Sequence, residues 1–414
     1  MSFVSFLRQN LRWLAAGFLL TFASSFGQTF FISIFAGQIR ADLGLSHGAW
    51  GGIYMMGTLA SAVVMIWAGG LTDRIRVRYL GFATVVCLAM SCGMMTVTSE
   101  IWMLPFVVFA LRLFGQGMSG HTASVAMARW FTKTRGRALA VASFGFAVGE
   151  AILPIVFVAL MAWIGWRASW GVSAAILIVL APLLLVLLKE ERNPRTDNTV
   201  VHSLGLDGIH WSRLQVLRFP LFWFILPALL GPPAFGTAFF FLQVHLAEIK
   251  GWSHLELVSL FPAYTAFAVI SMMLSGLAID RFGTAGLMVV YTAPSAIGFI
   301  LFAYAETLFA GLIGILFFAI TTGIQATLPA AFWAQFFGTR HLGSIKAMAT
   351  AIMVFGSAIG PGLTGWGLNH GFGFETQMLW ISGYLVFGVI MAGIGVSRVK
   401  ARLPVSAQID VIRP

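Results

Sequence analysis

The sequence predicts an all-α integral membrane protein with twelve transmembrane helices in two pseudo-symmetric six-helix bundles. Three observations predict it. The 414 residues are 59% hydrophobic and 9% charged, with a mean hydropathy of +0.91, whereas a soluble chain carries roughly 25% charge. The apolar residues gather into about twelve runs, each near the roughly 20 residues a helix needs to cross a core of about 30 Å. The second half of the chain repeats motifs of the first.

The runs, numbered here as spans 1 to 12, fall at residues 11–36, 47–68, 79–98, 101–131, 138–164, 168–188, 219–246, 255–278, 285–305, 308–334, 343–368 and 376–396. They are long and continuous, so helix is the expected form. Lipid offers no partner for open backbone groups, and a β-barrel would show short alternating segments. Span 1 follows Arg8 and Arg12 as a signal peptide would. It runs on past the 7–15 residues of a leader's apolar core, so it reads as a retained helix. In span 7, Pro232 and Pro233 with Gly231 and Gly236 predict an interruption near mid-span. Cys87 and Cys92 share span 3 and define neither a disulfide framework nor a metal site.

Lys and Arg set the orientation. With the N-terminus inside, the inner loops hold 21 of the 25 basic residues, and the outer loops hold only Arg40, Arg167 and Lys250. Both termini are therefore expected in the cytoplasm, with the chain in a cell membrane such as the bacterial inner membrane. The net charge of +11 is a topology signal, which removes nucleic acid as a partner. The most polar stretch, 189–218, divides a bundle at 1–188 from one at 219–414, and its second part, around Trp211 to Phe219, reads as a short helix.

The two halves share landmarks. Gly69, Asp73 and Arg74 after span 2 match Gly276, Asp280 and Arg281 after span 8, both as Gly-x-x-x-Asp-Arg, 207 residues apart. Gly145 and Gly149 in span 5 match Gly356 and Gly360 in span 11, 211 residues apart, and Arg129 and Arg340 share that offset. Twelve spans, a six-plus-six repeat, a long central loop and these loop motifs resemble the major facilitator superfamily over essentially the whole chain. The first loop copy departs from the usual pattern at Arg76, the second at Thr284 and Ala285. The resemblance implies two bundles alternating access to a central site, with Asp73, Arg74, Asp280 and Arg281 as gating residues that cap helices and form ion pairs. The segment from Arg129 to Arg137 before a glycine-rich span 5 is similar to bacterial organic-anion porters of the monocarboxylate and oxalate/formate types. Span 8 lacks the Asp and Arg usual in the first type, and only Lys346 lies near span 11 for the second.

Arg112 and Glu150 are the two full charges deep in apolar sequence. Arg112 lies about 18 Å along span 4 from Glu100, and Glu150 about 20 Å along span 5 from Arg137, at 1.5 Å per residue. Charges at such depth are costly and mark function. Arg112 is expected to hold an anion and Glu150 to exchange a proton. The competing reading is a structural ion pair between adjacent antiparallel spans. Glu150 aligns with Pro361 in the second half, so its backbone role needs no charge. The glycine pairs read as packing faces. Ser25, Gln28, Tyr54, Gln116, Tyr264, Thr322 and Gln325 complete the expected substrate site, with Phe30, Phe31 and Phe35 as a candidate apolar lining. Gln116 is four residues from Arg112 and shares its helix face.

No nucleotide loop, zinc ligand set or catalytic triad is visible, so neither an enzyme nor a cofactor or metal is expected. The expected function is a secondary active transporter of a small organic solute, an organic anion, moved with protons as a symporter by a monomer in the lipid bilayer. A proton-driven efflux antiporter for lipophilic compounds is the alternative, and a non-transporting membrane sensor or scaffold a remote one.

Overall fold

The computed structural model describes residues 3–131, 134–190, 202–403 and 409–410. Apolar runs become helices as expected, and nine described helices are long and apolar enough to cross a membrane. Two of these join neighbouring spans through a glycine. Arg135–Leu187 holds spans 5 and 6 and turns at Gly165, whose φ is 77°. Phe261–Val290 holds span 8 and the start of span 9 and turns at Gly283, with φ 72°. Both angles suit glycine, which has no Cβ to clash. Ala293–Ala303 completes span 9. Span 1 is a bent pair, Val4–Gly27 and Thr29–Leu43, at 47°. Divided at these points, the helices are the twelve spans read from the sequence. The two short strands, His202–Ser203 and Ile409–Asp410, pair antiparallel.

The chain forms two compact units. One is Met1–Thr196 with Phe240–Pro262, and the other is Asp197–Phe239 with Ala263–Pro414. The end of span 7 and the two short helices after it, Gln243–Lys250 and His254–Val258, thus belong with the first unit. Outward faces carry large apolar side chains, such as Trp163 at 90% exposed and Phe309 at 71%, as lipid contact requires.

In each unit a glycine pair sets how closely two spans approach. A Cβ on Gly145 would meet the carbonyl of Phe18, and one on Gly149 would meet Ser25 Oγ. In the second unit, a Cβ on Gly356 would lie 3.0 Å from a Leu230 methyl, and one on Gly360 would meet the Ala234 carbonyl. The repeat therefore packs span 5 on span 1 and span 11 on span 7. The middle of span 7 is not interrupted. Helix Pro220–Phe241 continues through Pro232 and Pro233. Pro232 leaves the Ala228 carbonyl without its helical donor, and the Tyr291 hydroxyl donates to that carbonyl instead.

Before span 7, the expected short helix is Arg213–Arg218, opened by a capping box between Ser212 and Gln215. The preceding turn docks on the end of span 10: Trp211 N donates to Phe337 O at 3.1 Å and its Nε1 to Leu206 O at 3.1 Å. Arg402 donates to Asp207 from Nε at 2.9 Å and also from Nη2. These bonds hold the Asp207 carboxyl below its ordinary value.

Gly360→Ala should cost about 1–3 kcal/mol through overpacking, read as a lower thermal midpoint in detergent. Gly343→Ala, at a site with open space around its Cβ position, should leave the midpoint unchanged.

Candidate functional site

The first unit places its chemistry where span 1 breaks. The segment from Ser24 to Gln28 is rich in residues that hold a helix weakly. Ser25–Gly27 narrows to a 3₁₀ turn, Gln28 is extended with ψ 156°, and a four-residue helix, Thr29–Ile32, follows. Span 4 widens opposite it: Arg112–Ser119 is a π-helical segment between Met103–Leu111 and Gly120–Trp130. Such bulges recur at functional sites. The two irregular segments touch through glycines, because a Cβ on Gly115 would lie 2.5 Å from Gly27 Cα.

This approach brings Arg112 against the break. Its side chain is 1% exposed. Nη1 donates to Gly27 O at 3.2 Å and to Thr29 Oγ1 at 3.4 Å. Thr29 Oγ1 and Tyr54 Oη share a hydrogen bond at 2.5 Å. The guanidinium carbon lies 5.3 Å from the Tyr54 ring centroid, a cation–π contact. Nε and Nη2 have no hydrogen-bond partner among the described residues. They form one edge of the guanidinium, the fork that grips a carboxylate with two parallel bonds.

The hydrogen bonds that Arg112 makes among the described residues go to span 1; Glu150 is 9% exposed on span 5. Its neighbour Gly149 lies against Ser25. Ser25 is fully buried, and its Oγ has no hydrogen-bond partner among the described residues. Gln28 and Gln116 are half-buried, one in the break and the other in the π segment. Phe31 and Phe35 belong to a closed aromatic cluster with Trp170, at centroid distances of 5.3 and 4.8 Å. Phe30 is 4% exposed and packs edge-on to Phe146. All three fill the core behind the break.

The expected residues of the second unit are described by themselves. Tyr264 Oη donates to Thr322 Oγ1 at 3.1 Å. Gln325 Nε2 is buried with no hydrogen-bond partner. Among the gating residues, the side chain of Asp73 lies outside the described residues. Arg74 is exposed. The loop around it is held by Arg129, whose Nη1 donates to Thr72 O at 3.1 Å, and by a contact of 3.2 Å between His121 Nε2 and Gly69 O. Asp280 and Arg281 are exposed and make no ion pair among the described residues; the Arg281 guanidinium lies over Phe282.

Sequence reasoning missed Thr29, the Gly27 carbonyl and Gln243. Thr29 ties Arg112 to Tyr54. Gln243 is fully buried, and its Nε2 donates to Phe30 O at 3.0 Å and Ser33 Oγ at 2.8 Å. Ser33 Oγ in turn donates to Phe240 O at 2.8 Å. The run Ser24-Ser25-Phe26-Gly27-Gln28 was the available signal for a broken helix.

Twelve apolar helices in a repeated arrangement, with a buried cation beside a broken span, define a membrane transporter. The chain belongs to the Major Facilitator Superfamily, whose family model matches residues 17–290. A curated relative, "MFS transporter asaE" of Aspergillus flavus, is 23% identical over 324 residues, covering 77% of this chain and 71% of that protein. Among solved structures, a bacterial homolog to the human lysosomal transporter Spinster, inward-facing and occupied, superposes with TM-score 0.72 at 17% identity, covering 95% of this chain and 98% of that one. The nucleoside transporter NupG gives 0.71 at 12% identity, covering 94% and 99%. At these identities the likeness is one of fold.

Thr29→Val should leave the buried Tyr54 hydroxyl without its partner and cost about 1–3 kcal/mol, read as a lower midpoint in SDS unfolding. Adding Tyr54→Phe should return part of that loss, because both partners are then apolar. A double mutant no better than Thr29→Val would remove the hydrogen bond as the cause.

Proposed function

We propose that this transporter is a secondary active carrier of a small organic anion, moved by alternating access and driven by protons. The observation that carries the reading is the unpartnered Nε and Nη2 edge of Arg112. A guanidinium nearly out of solvent with that edge open is complementary to a carboxylate. Ser25, Gln28, Tyr54 and Gln116 are the proposed polar surround in the first unit. Tyr264, Thr322 and Gln325 are the proposed contributors from the second. Glu150 is the proposed proton carrier, a carboxyl buried on the span that packs against Ser25. Asp73, Arg74, Asp280 and Arg281 are proposed to gate. The bias of Lys and Arg supports cytoplasmic termini and a cell inner membrane.

A proton-driven efflux of lipophilic compounds is the second reading. A cavity of about 240 Å³ in the second unit favours it, lined by Phe235, Trp366, Phe372, Trp380 and Ile381, with Gln377 as one polar member.

Proteoliposomes separate the two. Under an inwardly directed proton gradient, radiolabelled acetate, lactate, benzoate or oxalate should accumulate. Arg112→Ala should raise KM at least about thirtyfold, and Arg112→Lys should not restore it, because ammonium cannot supply the fork. Glu150→Gln should abolish gradient-driven accumulation while leaving anion exchange. Uptake of every tested anion unaffected by Arg112→Ala would overturn the anion reading. Proton-driven extrusion of a lipophilic dye, with no anion uptake, would establish the second.

A further inference from the structure

A second cluster of nitrogen-bearing side chains, one guanidinium and two imidazoles, lies in the first unit, apart from Arg112. It sits where the end of span 1 and the start of span 2 meet the segment after span 7. Arg40 is on Ala36–Leu43, His47 and Trp50 open His47–Ala68, and His245 is on Gln243–Lys250. All four line one void, with Phe241 and Val244 among the apolar remainder. The void is about 10 Å³, room for about one water-sized group.

Its lining is rich in donors and poor in acceptors. The His47 and His245 rings are 4.4 Å apart, centroid to centroid. Trp50 is 1% exposed, and its indole N–H has no hydrogen-bond partner among the described residues. Arg40 spends Nε on Leu45 O at 3.3 Å. The helix that begins at His47 has 22 residues, and its positive end adds to the same field. The neighbouring titratable groups are few. Glu248 approaches His245 Nδ1 at 3.8 Å with its carboxylate 60% exposed. Asp42 is engaged by Arg167 at 2.5 Å and Trp166 at 2.7 Å. His254 faces Gln243 Oε1 at 3.4 Å.

We propose that this void is a second anion site, which takes a small monovalent anion between Arg40, the two imidazoles and the Trp50 indole N–H. The anion is the carboxylate group of a solute or a free halide. Two imidazoles in edge contact beside a guanidinium repel one another when protonated, and an anion among them removes that repulsion. Binding and proton uptake at the pair therefore favour each other. Trp50 and Tyr54 are one helical turn apart, about 6 Å, and both pack on Phe241, with centroids at 5.9 and 4.8 Å. The site thus lies one turn along the helix from the tyrosine that carries Arg112.

The test is thermal unfolding of the full chain in nanodiscs, titrated with sodium acetate or with sodium chloride. Ionic strength is held with sodium sulfate, at about pH 5.5 and about pH 7.5, on either side of the ordinary imidazole range. In Arg112→Ala, which removes the proposed central site, acetate should still raise the midpoint, with clearly higher apparent affinity at the lower pH. His47→Gln with His245→Gln should abolish its pH dependence. Trp50→Phe keeps the ring on Phe241 and removes the donor, and should weaken binding about tenfold. An equal response to chloride assigns the site to halide, and a response to acetate alone assigns it to carboxylate. A response lost in Arg112→Ala places all binding at Arg112 and overturns the proposal. So does a response independent of pH, or one untouched by Trp50→Phe. Arg112→Ala that keeps this response yet also keeps normal anion uptake would sink the proposed role of Arg112 instead.

Discussion

The first unit is organised around a guanidinium that is buried before it is neutralised. Bringing a cation out of water costs several kcal/mol even after the protein relaxes. Arg112 recovers part of that from the Gly27 carbonyl, the Thr29 hydroxyl and the face of Tyr54. None of these is an anion, and one edge of the group has nothing. On the proposed reading, an anion at that edge would meet a cation whose desolvation is already complete. Gly27 and Gly115 make this possible, because any side chain at either position would hold spans 1 and 4 apart.

The same backbone scheme serves both halves, while the side chains at the matching corner differ. Gly149 lies on Ser25 and is followed by Glu150; Gly360 lies on Ala234 and is followed by Pro361. The corner that is a hydroxyl and a carboxyl in the first unit is a methyl and a pyrrolidine ring in the second. Packing alone therefore accounts for the glycines and for neither Ser25 nor Glu150. The fold repeats, and the site is argued from the copy that departs from plain packing.

Most of the architecture was legible because crossing lipid imposes one pattern, about 20 apolar residues in a row. The limits of that pattern show where it failed. Spans 5 and 6 read as separate runs and are two helices that meet at Gly165, with no loop between them to mark the boundary. Span 1 read as a single run because Ser25, Phe26 and Gly27 are compatible with an apolar helix. Its break depends on contact with Gly115, 88 residues away in sequence. Span 7 failed in the opposite sense. Pro232 and Pro233 announce an interruption, and the structure withholds it because Tyr291 supplies the donor that the proline removed. Arg112 and Glu150 were visible as charges in apolar sequence. Whether the two side chains meet was left open, since depth alone does not fix which neighbours a group faces.

The four residues of Thr29–Ile32 link these features. At the start of this short helix, Thr29 is shared by Arg112 and Tyr54. Within it, the Phe30 carbonyl accepts from Gln243, and just beyond it Ser33 bonds to both Gln243 and Phe240. A helix this short holds its place through its ends rather than through its own hydrogen bonds. Its position is therefore set jointly by the guanidinium on one side and by the segment after span 7 on the other. A bound ligand shifts a conformational equilibrium only as far as it interacts differently with the two states. Thr29 is the residue of this helix that Arg112 itself bonds to, and it passes that contact on to Tyr54.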